Sequence, residues 1–115
     1  MTLTLYGIPN CDTVKKARAW LDARGIAYTF HDYKKQGADP ARIAGWIAAA
    51  GLGKVVNRAG TTFRKLSPED QAALEGAGAP AVLAANTSVI KRPIVEHPGG
   101  LLVGFKSDEW AAALC

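Results

Sequence analysis

Apolar and polar positions alternate from Thr2 to Tyr6, with Leu3 and Leu5 set against Thr2 and Thr4, and the run ends in Gly7-Ile8-Pro9-Asn10. A period of two that stops at Gly and Pro predicts a strand followed by a loop. From Thr13 the period lengthens. Val14, Ala17, Trp20 and Leu21 share one helical face, Lys15, Lys16, Arg18 and Asp22 cover the other, and Gly25 supplies a stop. Ile26 to Tyr33 is rich in β-formers (Tyr28, Thr29, Phe30, Tyr33) and predicts a second strand. The chain therefore begins β-α-β.

Asp39-Pro40 predicts an N-cap with proline at the first helical position, and Ile43, Ile47 and Ala50 form a stripe running to Gly51. Ser67-Pro68-Glu69-Asp70 opens another helix in the same way, its acidic residues lying where the macrodipole favours them. Between them, Asn57 to Lys65 reads as a glycine-containing loop, and Ala79 to Ala85 as a short helix. Ile94-Val95-Glu96 and Leu101 to Phe105 are strands joined by His97-Pro98-Gly99-Gly100, at hairpin spacing. Ser107-Asp108-Glu109 caps a last helix carrying Trp110 and Leu114. The order β-α-β, helices, β-hairpin, α is thioredoxin-like.

Composition narrows the class. A chain of 115 residues, 49% of them hydrophobic, is expected to form one domain over 1–115 with a core of its own, which disfavours disorder. No apolar run approaches the ~18 residues of a membrane span, and the first residues lack a basic and apolar leader. A cytoplasmic protein with no membrane partner is expected. The net charge of +4 suits small anions or acidic protein surfaces, and without clustering on one face it gives no nucleic-acid footprint. Two cysteines, Cys11 and Cys115, are too few for a disulfide-stapled scaffold.

Cys11 follows a predicted strand and loop and directly precedes a helix. Unpaired N–H groups and the positive end of the macrodipole stabilise a thiolate there, whereas an ordinary thiol, titrating near ~8.5, is mostly protonated at neutral pH. On position alone Cys11 equally fits a small apolar residue buried in the loop. Val14 stands where a C-x-x-C pair would carry its second thiol. Release of a mixed disulfide would then need an outside thiol such as glutathione, or Cys115, although an incidental tail cysteine is the simpler reading of Cys115.

Lys91-Arg92-Pro93 precedes the third strand. Sequence alone favours a trans bond to Pro93, and Arg92 either offers its planar fork to an oxyanion or is a solvated surface residue. Asn57, Arg58, Arg64 and Lys65 could cradle an anion or form a plain charged loop. His31 and His97 lack a second ligand at metal spacing, so no metal is expected.

Three ordered segments, Leu5 to Thr13 around Cys11, Arg58 to Leu66, and Lys91-Arg92-Pro93-Ile94, resemble the arsenate reductase/Spx-like (ArsC) family, and within it the YffB-type members. The resemblance runs from Leu3 to about Trp110. It implies an α/β thioredoxin-like fold with a four-stranded mixed sheet, β-α-β then β-β-α, and a helical insertion between the two parts. It implies Cys11 as catalytic cysteine, Arg92 as oxyanion-binding arginine and Pro93 as cis-proline. Asn57, Arg58, Arg64, Asn10, Asp12 and Thr13 complete the expected substrate-binding set. The chain departs from arsenate reductases at Gly7, where they carry histidine, and at Asn57 and Phe105, where they carry arginines. Fewer charge-assisted bonds remain for an arsenate dianion.

The expected activity is thus that of a glutathione-dependent thiol/disulfide oxidoreductase. It is expected to be a monomer without a tightly bound cofactor, taking glutathione and an oxidised thiol as substrates. The alternative is a Spx-like transcription regulator or adaptor that binds a protein partner such as RNA polymerase without catalysis. Val14, by removing the C-x-x-C switch, favours the first.

Overall fold

A computed structural model describes residues 3–115, so Thr2, the first position of the predicted alternation, lies outside the described residues. In chain order the elements are β1 (Thr4–Gly7), α1 (Asp12–Ala23), β2 (Thr29–Asp32), α2 (Tyr33–Gln36), α3 (Pro40–Ala50), α4 (Leu52–Val55) and α5 (Thr61–Lys65). There follow α6 (Pro68–Ala73), α7 (Ala79–Ala85), a 3-10 turn (Thr87–Val89), β3 (Ile94–His97), β4 (Gly100–Val103) and α8 (Ser107–Leu114). They divide into two units, one formed by the chain up to Gln36 with Arg92–Cys115, the other by Gly37–Lys91.

The first unit holds the whole sheet, in the order β2-β1-β3-β4. β1 and β2 are parallel, with Leu5 opposite Phe30 and Tyr6 opposite His31. β1 and β3 are antiparallel, pairing Leu5 with Val95, and β3 and β4 are antiparallel, pairing Val95 with Leu102. This is the expected four-stranded mixed sheet. Strand alternation sorts its residues: Leu5 and Val95 turn to one face, Tyr6, Ile94 and Glu96 to the other. On the first face Leu3, Leu5 and Val95 form a core with Val14, Ala17, Trp20 and Leu21 of α1 and Trp110 and Leu114 of α8. Trp20, Phe105 and Trp110 meet edge to face there, and Trp110 Nε1 donates to the Gly104 carbonyl at 3.0 Å, satisfying its one donor inside the core.

Helix α1 runs into β2 through a Schellman turn. Gly25 takes φ 66°, its N–H bonds the Asp22 carbonyl at 3.1 Å, and the N–H of Ile26 bonds the Leu21 carbonyl at 3.0 Å. Ile26 is thereby used in the turn, and β2 begins at Thr29 rather than at the predicted Ile26. Tyr33, expected to end that strand, starts α2 instead, where the Asp32 carboxylate accepts from the Lys34 N–H at 2.9 Å.

In the second unit, α3 has the predicted cap, the Asp39 carboxylate accepting from the Ala41 N–H at 3.0 Å with Pro40 in the first turn. Ser67 caps α6 by accepting from the Asp70 N–H at 3.1 Å. α3 packs on α7, and Ile43, Trp46, Leu74 and Leu83 are buried. Val56 and Ile90 form an antiparallel bridge flanked by bonds from Asn57 N–H to the Val89 carbonyl and Lys91 N–H to the Val55 carbonyl, both 2.7 Å. Two corrections fall here. Asn57 to Lys65 is not all loop, since Thr61–Lys65 is helical, and α4 has no counterpart in the sequence reading. The later hairpin is also tighter than expected, with His97 paired to Gly100 across Pro98-Gly99. Lys106, rather than the expected Ser107, occupies the cap position of α8. Among the described residues no helix is long and apolar enough to cross a membrane.

Candidate functional site

The loop after β1 delivers Cys11 to the N-cap of α1 in extended backbone, φ −133° and ψ 123°, and its carbonyl accepts the first helical bond from Lys15 N–H at 2.9 Å. The thiol is half-buried and free. It closes no capping hydrogen bond, so the N–H groups of Val14 and Thr13 act on it as dipoles aimed at the cap. Burial pushes the thiol up. The Val14 N–H, a hydrogen bond and the positive charge from Arg92, and the Thr13 N–H outweigh burial, and the net direction is down from the ordinary value.

Arg92 stands at the start of the β3 segment, and its bond to the buried Pro93 is cis, as the family resemblance implies and against the statistical preference for trans. The Pro93 carbonyl accepts from Gly104 N–H at 2.8 Å, which ties this turn to the end of β4. Gly7, the last residue of β1, is in close approach to α1: a Cβ built there would lie 2.8 Å from Val14 Cγ2. The fully buried Val14 therefore fills the space beside position 7 that a larger residue would need.

Of the predicted site residues, the structure gathers Cys11 and Arg92, with Asp12 and Thr13 in the exposed first turn of α1 and Asn10 exposed before it. Asn57, Arg58 and Arg64 belong to the second unit. There Arg58 reaches Glu75 Oε1 at 3.2 Å and Arg64 reaches the Ala59 carbonyl at 3.4 Å. Cys115 is exposed and free.

The sequence reading missed a group on the second sheet face. Tyr6 Oη donates to Glu96 Oε1 at 2.7 Å, and the Tyr6 ring lies 4.8 Å from His31 and 6.3 Å from Tyr33. The buried Tyr33 hydroxyl has no hydrogen-bond partner. Burial and the neighbouring Tyr6 push its ionisation far up, with Arg92 opposing and Glu96 reinforcing the rise. The period of two in Arg92, Ile94 and Glu96 was the available signal. Among the described residues no group of three or more His, Cys, Asp or Glu side chains is gathered as a metal would require.

A four-stranded mixed sheet, a cysteine at the N-cap of the first helix and an arginine before a cis-proline define a thioredoxin-like fold with a one-cysteine site. The ArsC family model matches residues 6–113, and the chain belongs to the ArsC family. The solved structure of a YffB protein is 50% identical, with a TM-score of 0.89 over 98% of this chain and 99% of its own. An arsenate reductase (ArsC) related protein from Brucella melitensis is 46% identical, with a TM-score of 0.75 over 97% and 93% of the two chains. A global transcriptional regulator Spx from Streptococcus agalactiae is 25% identical over 97% of this chain and 82% of its own length.

Proposed function

We propose that this protein is a glutathione-dependent thiol/disulfide reductase with Cys11 as its nucleophile. One observation carries it: a free, half-buried thiol at the N-cap of α1 whose ionisation Arg92 favours. The Cys11 thiolate attacks one sulfur of a disulfide. The S–S bond breaks, one half leaves as a thiolate, and the other remains bound to Cys11 as a mixed disulfide. A glutathione thiolate then attacks the outer sulfur, Cys11 leaves as thiolate, and the product disulfide carries the two electrons' worth of oxidation. Val14 in place of a second thiol is the reason the second step is assigned to an outside thiol. A carboxylate of glutathione suits Arg92, which belongs to the same unit as Cys11, with Asn10, Asp12 and Thr13 as polar groups flanking the thiol in sequence. Glutathione is a co-substrate on this reading, the protein works as a cytoplasmic monomer, and arsenate is not the favoured substrate. Reduction of bis(2-hydroxyethyl) disulfide by glutathione should be lost in Cys11→Ser; a variant that keeps full activity refutes the assignment.

The likeness to Spx regulators supports a second reading, an adaptor that binds a protein partner such as RNA polymerase. It requires capture of purified polymerase that survives Cys11→Ser and is lost on Arg92→Glu. No capture counts against it.

A further inference from the structure

Around Tyr33, a residue that also feels the charge of Arg92, lies a group of ionisable side chains that the thiol chemistry leaves unused. Tyr6 holds the Glu96 carboxylate at 2.7 Å, across the antiparallel pair of β1 and β3. Tyr6 also packs on His31 and Tyr33, whose own rings are 5.8 Å apart. Tyr6 is 5% exposed and Tyr33 3%, and the pinned Glu96 carboxylate is itself half-buried. A carboxylate drawn partly out of water is stabilised by a neighbouring cation. Arg92 precedes Glu96 by four residues in the same segment, and both charges act on the one buried Tyr33 hydroxyl, in opposite senses. Arg92 is also the charge that acts on the Cys11 sulfur.

We propose that Glu96, fixed by Tyr6, is the counter-charge of Arg92 and a positioning residue for it, turning the guanidinium toward the Cys11 sulfur. An arginine has a long, mobile stem, and a guanidinium held on one side by a pinned carboxylate spends its directional donors in a fixed orientation. The inference deepens the reading of Cys11 as the reactive thiolate and rests on it. If Glu96 merely stitched β3 to β1, removing its charge would alter stability and leave the thiol untouched.

Glu96→Gln keeps an acceptor for the Tyr6 hydroxyl and removes only the charge. The rate of Cys11 alkylation by iodoacetamide is followed against pH in four proteins, all carrying Cys115→Ser: the parent, Glu96→Gln, Arg92→Gln and the double variant. Glu96→Gln should move the thiol titration up, slowing alkylation at neutral pH by about threefold, which is half a pKa unit. The double variant should titrate with Arg92→Gln alone, because Glu96 acts through Arg92. Tyr6→Phe, which releases the pin while keeping the ring, should move the titration the same way by less, and stands in if Glu96→Gln does not fold. A titration in Glu96→Gln that matches the parent or moves down overturns the proposal, as does a shift that persists without Arg92. A parent thiol titrating at the ordinary ~8.5 overturns the thiolate reading along with it. A lowered parent titration that Glu96→Gln leaves in place overturns the positioning role alone.

Discussion

Gly7→Ala is the smallest change that tests how β1 and α1 are fitted together under the thiol. The new Cβ would meet Val14 Cγ2 at 2.8 Å, against roughly 3.5–4.0 Å for an unstrained carbon pair. Gly7 has no positive φ, so alanine meets no backbone objection and the conflict is purely one of space. Val14 cannot easily yield, being fully buried, β-branched and in a helix where one rotamer dominates. The remaining escape is to move the first turn of α1 away from β1. Overpacking of this kind costs about 1–3 kcal/mol. Alanine gives back about 0.4–1 kcal/mol by restricting the unfolded chain. Subtracting the mid-range values leaves a net loss of about 1.3 kcal/mol, and a midpoint lowered by several degrees at this chain length.

Thermal and urea unfolding of four proteins measure this: the parent, Gly7→Ala, Val14→Ala and the double variant. Val14→Ala alone removes buried methyl groups and should cost about 2 kcal/mol. In the double variant the new methyl at position 7 gains room as the old ones leave, so the two losses should fall short of additive by about 1 kcal/mol or more. Gly7→Ala should also slow alkylation of Cys11, because the displaced turn carries the Val14 N–H that favours the thiolate. A Gly7→Ala protein that melts with the parent, or losses that simply add, would refute the steric account.

Three further outcomes follow from the same structure. Tyr33→Phe removes a buried hydroxyl that has no hydrogen-bond partner, so stability in urea should hold or rise, by at most ~1–3 kcal/mol; a clear loss would mean the hydroxyl has a partner in solution. Asp39→Ala removes the side chain that caps α3 and should cost about 1 kcal/mol, with Asp39→Asn restoring most of it, read from denaturant midpoints. Because the folded Cys11 thiol titrates below its unfolded value, its ionisation adds stability that is complete above the unfolded pKa and is lost as pH falls through the folded one. Urea unfolding across neutral to alkaline pH should therefore show stability rising in that window in the parent, and the rise should shrink in Cys11→Ser.

Elements whose pattern repeats were legible in the sequence, and those built from a single turn were not. Helix α1 shows its period across Val14, Ala17 and Leu21, and Asp39-Pro40 and Ser67-Pro68 mark their starts by side-chain chemistry that the structure uses as expected. Helices α4 and α5 are four and five residues long, too short for a 3.6-residue period to appear, and their residues pass for loop. Tyr33 misleads for another reason: its β-propensity extends the strand pattern, while the Asp32 carboxylate bonding Lys34 N–H turns the chain into α2. Cys11 and Arg92 were legible by residue type and family likeness. The group of Tyr6, Tyr33 and Glu96 near Arg92 depends on strand register, with Tyr6 opposite both His31 and Ile94, and register is a property of paired strands rather than of any one segment.

Val14 ties these observations together. Its side chain belongs to the core beneath the sheet, its methyl excludes a Cβ from position 7, and its N–H lowers the thiol three residues earlier. It also occupies the position at which a C-x-x-C protein would carry its second thiol. Cysteine there would have to fill the same fully buried space with one γ atom in place of two, leaving a void beside Gly7, and burial would hold that thiol in its neutral form. The residue that makes the loop–helix junction fit is thus the one that denies it an internal resolving thiol. On the proposed reading, dependence on glutathione is a consequence of how β1 and α1 pack.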